Sequence, residues 1–167
     1  MRALLALLAK RVVPEENPSG VVYGMIVIGA LLAAESGRHE TYLDTIASAA
    51  IAAALYWFAH AYADVLGHRL AEHERLTAAS LADALAHDWA IIRGAALPLV
   101  VLAIAWAAGA AQQTAVTAAL WSTIVSLVAF ELIAGVRAHA SPRELVFEGA
   151  VGAAMGVAIL ALKIVLH

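Results

Sequence analysis

The chain contains no cysteine, only four prolines, 7% aromatic residues and 14% charged residues across 167 positions. The lack of cysteine excludes disulfides and thiolate metal sites. The scarcity of charge, against about 25% in an average soluble domain, excludes a disordered tail and argues against a soluble enzyme. The scarcity of aromatic and β-branched alternation argues against an outer-membrane barrel. The formal net charge of -3 leaves no basic footprint for nucleic acid. What the chain does have is apolar helix formers. It is 63% hydrophobic and dominated by Ala and Leu, with a mean hydropathy of +0.85. The composition describes an all-α integral membrane protein made of a single membrane domain, 1–167.

A spanning helix needs about 20 mostly apolar residues. Five stretches approach this, near Ser19–Ala34, Thr45–Leu66, Ala90–Ala108, Thr114–Ile133 and Val146–Leu166, the first of them short. Turn and cap residues punctuate them. Asn17-Pro18-Ser19-Gly20 breaks the chain before span one, and Ser36-Gly37-Arg38 ends it. Ser80-Leu81-Ala82-Asp83 resembles a capping box leading into span three. Gly109 with Gln112-Gln113 joins spans three and four as a tight antiparallel hairpin. Ser141-Pro142-Arg143-Glu144 opens the last helix with Pro in its first turn. Residues 1–16 read as an amphipathic helix on the inner leaflet, since Lys10-Arg11 follows the short apolar run and no small-residue cleavage site succeeds it. Residues 69–88 read as a helical connection outside the membrane.

Eight of the ten basic residues fall on one side of this topology: Arg2, Lys10 and Arg11, then Arg69, Arg75 and Arg93, then Arg137 and Arg143. Only Arg38 and Lys163 lie opposite. The positive-inside rule predicts a cytoplasmic N-terminus and an external C-terminus. Gly20, Gly24 and Gly29 give span one a thin surface, suited to internal packing or to a dimer. Trp57, well inside span two, reads as packing.

Ionisable residues inside a membrane are costly and mark function by default. His60, Asp64, His68 and Glu72 recur every four residues on span two and its extension, so they share a helix face. Such a stripe can supply nitrogen and oxygen ligands to a divalent ion or pass a proton. The bland alternative is equally physical: His60 and Asp64 satisfy each other, and the rest are solvated. Asp83, His87, Asp88 and Arg93 form a second set at the entry to span three. Glu131 on span four and Glu148 on span five form a third, with Arg93 or His60 as candidate partners for Glu131. All three sets lie toward the predicted cytoplasmic half, which suggests one polar cavity among the helices. The opposite side offers Glu35, His39, Glu40 and Asp44, for which solvation is the simple explanation.

Hydrolase and nucleotide motifs are missing: no G-x-S-x-G, no H-E-x-x-H and no glycine-rich phosphate loop. His60 alone does not make a two-histidine haem site.

Several short motifs resemble the vacuolar iron transporter family. Gly94-Ala95-Ala96-Leu97-Pro98-Leu99 is similar to its third span, Gly135-Val136-Arg137-Ala138 to its span-four exit, Gly149, Gly152 and Gly156 to its fifth span, and Ala61-Tyr62 to the end of its second. The resemblance covers about residues 46–166 and implies a five-span bundle that moves a metal cation. Its ligand positions are not matched: Trp57 and Ala61 stand where the family carries Met and Glu, Val22-Tyr23-Gly24 replaces its acidic start, and the insert after span two is short.

The expectation is therefore a small-cation transporter or channel, for a proton or a divalent metal. His60, Asp64, Glu131 and Glu148 would form the path, with His60, Asp64, His68 and His87 as candidate metal ligands. Short spans enclose little polar volume, so a homo-oligomer, most simply a C2 dimer in the lipid bilayer, is expected. The alternatives are a non-catalytic accessory or scaffold subunit and a metal-dependent intramembrane hydrolase.

Overall fold

A computed structural model of the chain describes residues 17–35, 41–73 and 75–166. Among these residues there are six helices and no strand: α1 Pro18–Glu35, α2 Tyr42–Glu72, α3 Ala78–His87, α4 Trp89–Ala107, α5 Gln112–Arg137 and α6 Pro142–Leu166. The protein is an all-α, multi-pass membrane protein. α2, α5, α6 and the continuous run of α3 with α4 are long and apolar enough to cross a bilayer, while α1 is a shorter apolar helix. The N-terminal interfacial helix expected over 1–16 lies outside the described residues.

The helix ends follow local chemistry. Thr41 caps α2, and Asp44 returns the bond to the Thr41 backbone, a capping box that starts the helix three residues before the apolar run. Asp44, an outer-side candidate in the sequence, is thus a cap. α3 starts at Ala78 behind the cap Thr77, with Ser80 as its third residue, so the expected cap at Ser80 sits one turn too late. Ser141 and Glu144 close a similar box around Pro142. α2 ends where His73 takes a left-handed conformation, φ 58°.

The shortest of the five expected spans is the most deeply buried. Met25, Ile28 and Leu32 of α1 have essentially no exposure, and α1 packs on α2, α4, α5 and α6. It reaches the centre because it is thin where it crosses α4. A Cβ on Gly24 would collide with the Ile91 carbonyl oxygen, and a Cβ on Gly94 with that of Val21. The two backbones are in mutual contact, each using the other's glycine. Gly20 abuts Ala90 and Gly29 abuts Thr123. All three α1 glycines are therefore occupied within the chain, which decides for internal packing.

α2 is peripheral. It buries Thr45, Ala49, Ala53, Ala61 and Val65, a narrow small-residue stripe. Ile51 and Leu55 on α2, Ile104 on α4, Val125 on α5, and Val146 and Val157 on α6 are each more than half exposed. An apolar belt of this extent is costly in water and neutral against lipid tails.

Side-chain bonds tie the two ends. At one end Asn17 caps α1, accepting from Gly20 N and Ser19 Oγ while its amide donates to the His87 carbonyl and to Asp88 Oδ1. At the other, the Tyr42 hydroxyl donates to the Ala110 carbonyl, its ring stacks on Trp106, and Gln112 donates to Thr45 Oγ1. These are called the Asn17 end and the Gln112 end.

Candidate functional site

α5 and α6 pair antiparallel along an extended seam. Its register is read from the glycines: Gly156 lies against Ile124, Gly152 against Val128 and Glu131, Gly149 against Leu132, and Gly135 against Leu145 and Glu148. Both helices carry the same pattern, Glu131-x-x-x-Gly135 and Glu148-x-x-x-Gly152. Antiparallel packing makes the pattern reciprocal. The Glu148 carboxylate fills the space left by Gly135, and the Glu131 side chain, with Cγ 3.0 Å from where a Gly152 Cβ would stand, fills the space left by Gly152. Residues four apart on a helix share a face, so the two carboxyl-bearing side chains enter one seam about one turn apart.

Depth makes this pair expensive. Glu131 lies six residues before the end of α5 and Glu148 six after the start of α6, about 9 Å along each axis at 1.5 Å per residue. Arg137, Arg143 and Glu144 mark the polar boundary beyond them. Glu148 Oε2 is buried without a hydrogen-bond partner. Buried polar atoms nearly always find partners, so an orphaned carboxylate oxygen calls for an explanation. Glu131 is half-buried and also borders a cleft of about 270 Å³ at the Asn17 end, between Pro18, Ser19 and Val22 of α1 and Phe130, Ala134 and Arg137 of α5. Glu131 thus borders both the α5–α6 seam and this α1–α5 cleft.

The α2 set is arranged differently. His60 is half-buried between two tyrosines, its ring 5.8 Å from Tyr23 on α1 and 6.1 Å from Tyr56. Asp64 turns away from it toward His68, whose Nδ1 lies 3.6 Å from Asp64 Oδ1 and 3.0 Å from the Asp64 carbonyl oxygen. The His60–Asp64 pairing considered from the sequence is thus replaced by His60 with tyrosines and Asp64 with His68. A second cleft, of about 370 Å³, lies between α2 and α3 and is lined by Asp64, His68, Arg69, Arg75, Ser80, Asp83 and His87. It shares no residue with the cleft at Glu131. The sequence-based candidates therefore fall into separate places: Glu131 and Glu148 in the α5–α6 seam, Asp64, His68 and His87 in the α2–α3 cleft, and His60 among aromatic rings. α2 and α6 each pack on α1 and do not form a packed pair, and the two clefts are separate, so one cavity does not gather these residues. Among the described residues, no three His, Asp or Glu side chains converge at metal-binding spacing. Arg93, a sequence candidate to meet Glu131, is exposed. Of the outer-side candidates, His39 and Glu40 lie outside the described residues.

Three structural residues carry more than their sequence context suggests. Asp88 is 4% exposed and accepts from Asn17 at 3.3 Å where α3 turns into α4. Trp57 donates to the Leu85 carbonyl at 2.9 Å and meets Trp89 edge-on at 5.3 Å, so its packing role locks α3 against α2. Lys163 donates to Thr117 Oγ1 at 2.9 Å across the far end of the same α5–α6 seam. Only the repeated Glu-x-x-x-Gly was available as a sequence signal for the seam.

No family model, curated protein or solved structure matches the chain.

Proposed function

We propose that this membrane protein moves a small cation across the bilayer and that the Glu131–Glu148 pair of the α5–α6 seam is the membrane-embedded seat. The observation that carries the reading is the buried, unpartnered Oε2 of Glu148. An anionic oxygen held at that depth is stabilised by binding a cation, and the simplest is a proton. Glu131, one turn away and bordering the end cleft, is placed to exchange that cation with the aqueous side. A proton suits the pair better than a divalent metal, which takes six or more oxygen ligands or a tighter nitrogen–oxygen set. The resemblance to vacuolar iron transporters supports cation movement in general and supplies no ligand here.

The basic-residue count orients the Asn17 end to the cytoplasm, so Glu131 opens inward. A C2 dimer belongs to the same reading, and it must use a surface other than the α1 glycines.

The test is flux in proteoliposomes under an imposed pH gradient and, separately, an imposed Mn²⁺ gradient, each read with an entrapped dye. Proton flux above that of protein-free vesicles is expected. No flux of either ion would leave the accessory-subunit reading in its place.

A further inference from the structure

The cleft between α2 and α3 plays no part in the seam chemistry, and its lining is unusual in carrying both signs. Arg69 and Arg75 face it together with Asp64 and Asp83, and His68 and His87 complete it. Arg75, Asp64 and Asp83 are exposed, yet among the described residues no ion pair joins either arginine to either aspartate; Asp64 contacts His68 instead. Arg69 Nε is buried with no hydrogen-bond partner. The Arg69 guanidinium lines the cleft, and among the described residues no protein hydrogen bond uses its donors.

Depth identifies what meets it. The mostly apolar part of α2, residues 45–63, is about 28 Å long at 1.5 Å per residue, close to the hydrocarbon thickness of about 30 Å. Asp64 and Arg69 therefore begin where the hydrocarbon ends. Trp57 ties α3 to α2 through the Leu85 carbonyl, which fixes the two walls of the cleft relative to each other. A bare phosphate would be drawn by the arginines and repelled by the two aspartates. A group carrying a phosphate and a nearby ammonium satisfies both.

We propose that the α2–α3 cleft binds the headgroup of a phosphoethanolamine lipid, with Arg69 and Arg75 holding the phosphate and Asp64 and Asp83 receiving the primary ammonium. Arginine matches phosphate geometry with several parallel donors. The ammonium of ethanolamine has N–H donors for the aspartates, which the trimethylated choline headgroup lacks.

The experiment is native mass spectrometry of the full chain released from detergent with dioleoyl phosphatidylethanolamine, phosphatidylcholine or phosphatidylglycerol, with soluble O-phosphoethanolamine and inorganic phosphate as competitors. The ethanolamine lipid should be retained about tenfold more strongly than the choline lipid, the scale of one charge-assisted hydrogen bond. Asp83→Asn should erase that preference while keeping lipid binding, and Arg69→Gln and Arg75→Gln should weaken all three lipids. Asp83 and Arg75 are exposed, so their variants leave the fold intact. Equal retention of ethanolamine and choline lipids, or an unchanged preference in Asp83→Asn, would overturn the proposal. Tighter binding of the glycerol lipid, or displacement by inorganic phosphate as effective as by O-phosphoethanolamine, would reduce the cleft to an anion site. Soluble O-phosphoethanolamine binding as tightly as the lipid would transfer the site to a free ligand.

Discussion

The α1–α4 crossing and the α5–α6 seam use the same device for different ends. In both, two helices meet through reciprocal glycines. At α1–α4 the space left by Gly24 and Gly94 is taken by main chain, the carbonyls of Ile91 and Val21. The result is dry, rigid and blocked on both sides by backbone. At α5–α6 the space left by Gly135 is taken by the Glu148 carboxylate, and that left by Gly152 is shared between the Glu131 side chain and the Val128 and Leu127 backbone. The outcome is a close helix pair with carboxyl groups inside it. A glycine facing backbone fixes a distance. A glycine facing the end of a long polar side chain houses a charge, and that side chain keeps the freedom to move.

The comparison orders the effects of filling each space. Gly24→Leu should have the largest effect. Overpacking a core costs about 1–3 kcal/mol when side chains can adjust. Here a backbone must move, so a loss at or beyond the top of that range is expected, read as loss of folded protein or a collapse of the thermal midpoint in detergent. An unchanged midpoint would mean that α1 does not cross α4 at Gly24. Gly152→Ala should come next, at about 1–2 kcal/mol, because its Cβ would stand 3.0 Å from the Val128 Cα and 3.2 Å from the Leu127 carbonyl oxygen as well as against Glu131. Asn17→Ala should cost about 1–2 kcal/mol, since it removes the cap of α1 and strips buried Asp88 of its donor. Gly135→Ala should cost less than Gly152→Ala, under about 1 kcal/mol, because what stands in its way is side chain, the Glu148 carboxylate and Leu145 Cδ2, and not backbone. It should nevertheless change flux. Equal destabilisation by Gly135→Ala and Gly152→Ala would erase the distinction between the two notches. The smallest effect concerns α2. His60→Ala and Asp64→Asn should be additive within about 0.5 kcal/mol, since one residue sits with Tyr23 and Tyr56 and the other with His68.

The fold was legible where it depends on long apolar runs. All five expected spans correspond to helices, because about 20 apolar residues between polar turns have few alternatives in a membrane. The boundaries were less legible. α2 begins at Tyr42 and not Thr45 because the Thr41–Asp44 box adds a turn of polar residues that hydropathy passes over. α3 begins at Ala78 because Thr77 and Ser80 form the box, which makes Ser80 a partner in the cap and not the cap itself. Burial order was not legible at all: the shortest of the five spans lies at the centre, and this follows from the match of Gly24 with Gly94, two residues seventy apart. The candidate site was legible as a list and not as a grouping. Glu131 and Glu148 meet because their helices are antiparallel neighbours in a register set by glycines. His60 and Asp64, four apart on one helix, do not meet because tyrosines on both sides take the imidazole.

The most direct test of the central claim is proton flux in proteoliposomes for Glu148→Gln beside Glu144→Gln, each with its melting midpoint in detergent. Glu144 lies on the same helix one turn nearer the polar boundary, exposed and bonded to Ser141. The account predicts that Glu148→Gln loses flux while its midpoint is kept or raised, since the amide has the shape of the carboxyl group and cannot carry a buried charge. It predicts that Glu144→Gln keeps flux and lowers the midpoint slightly through its lost cap. Wild-type flux in Glu148→Gln would contradict it.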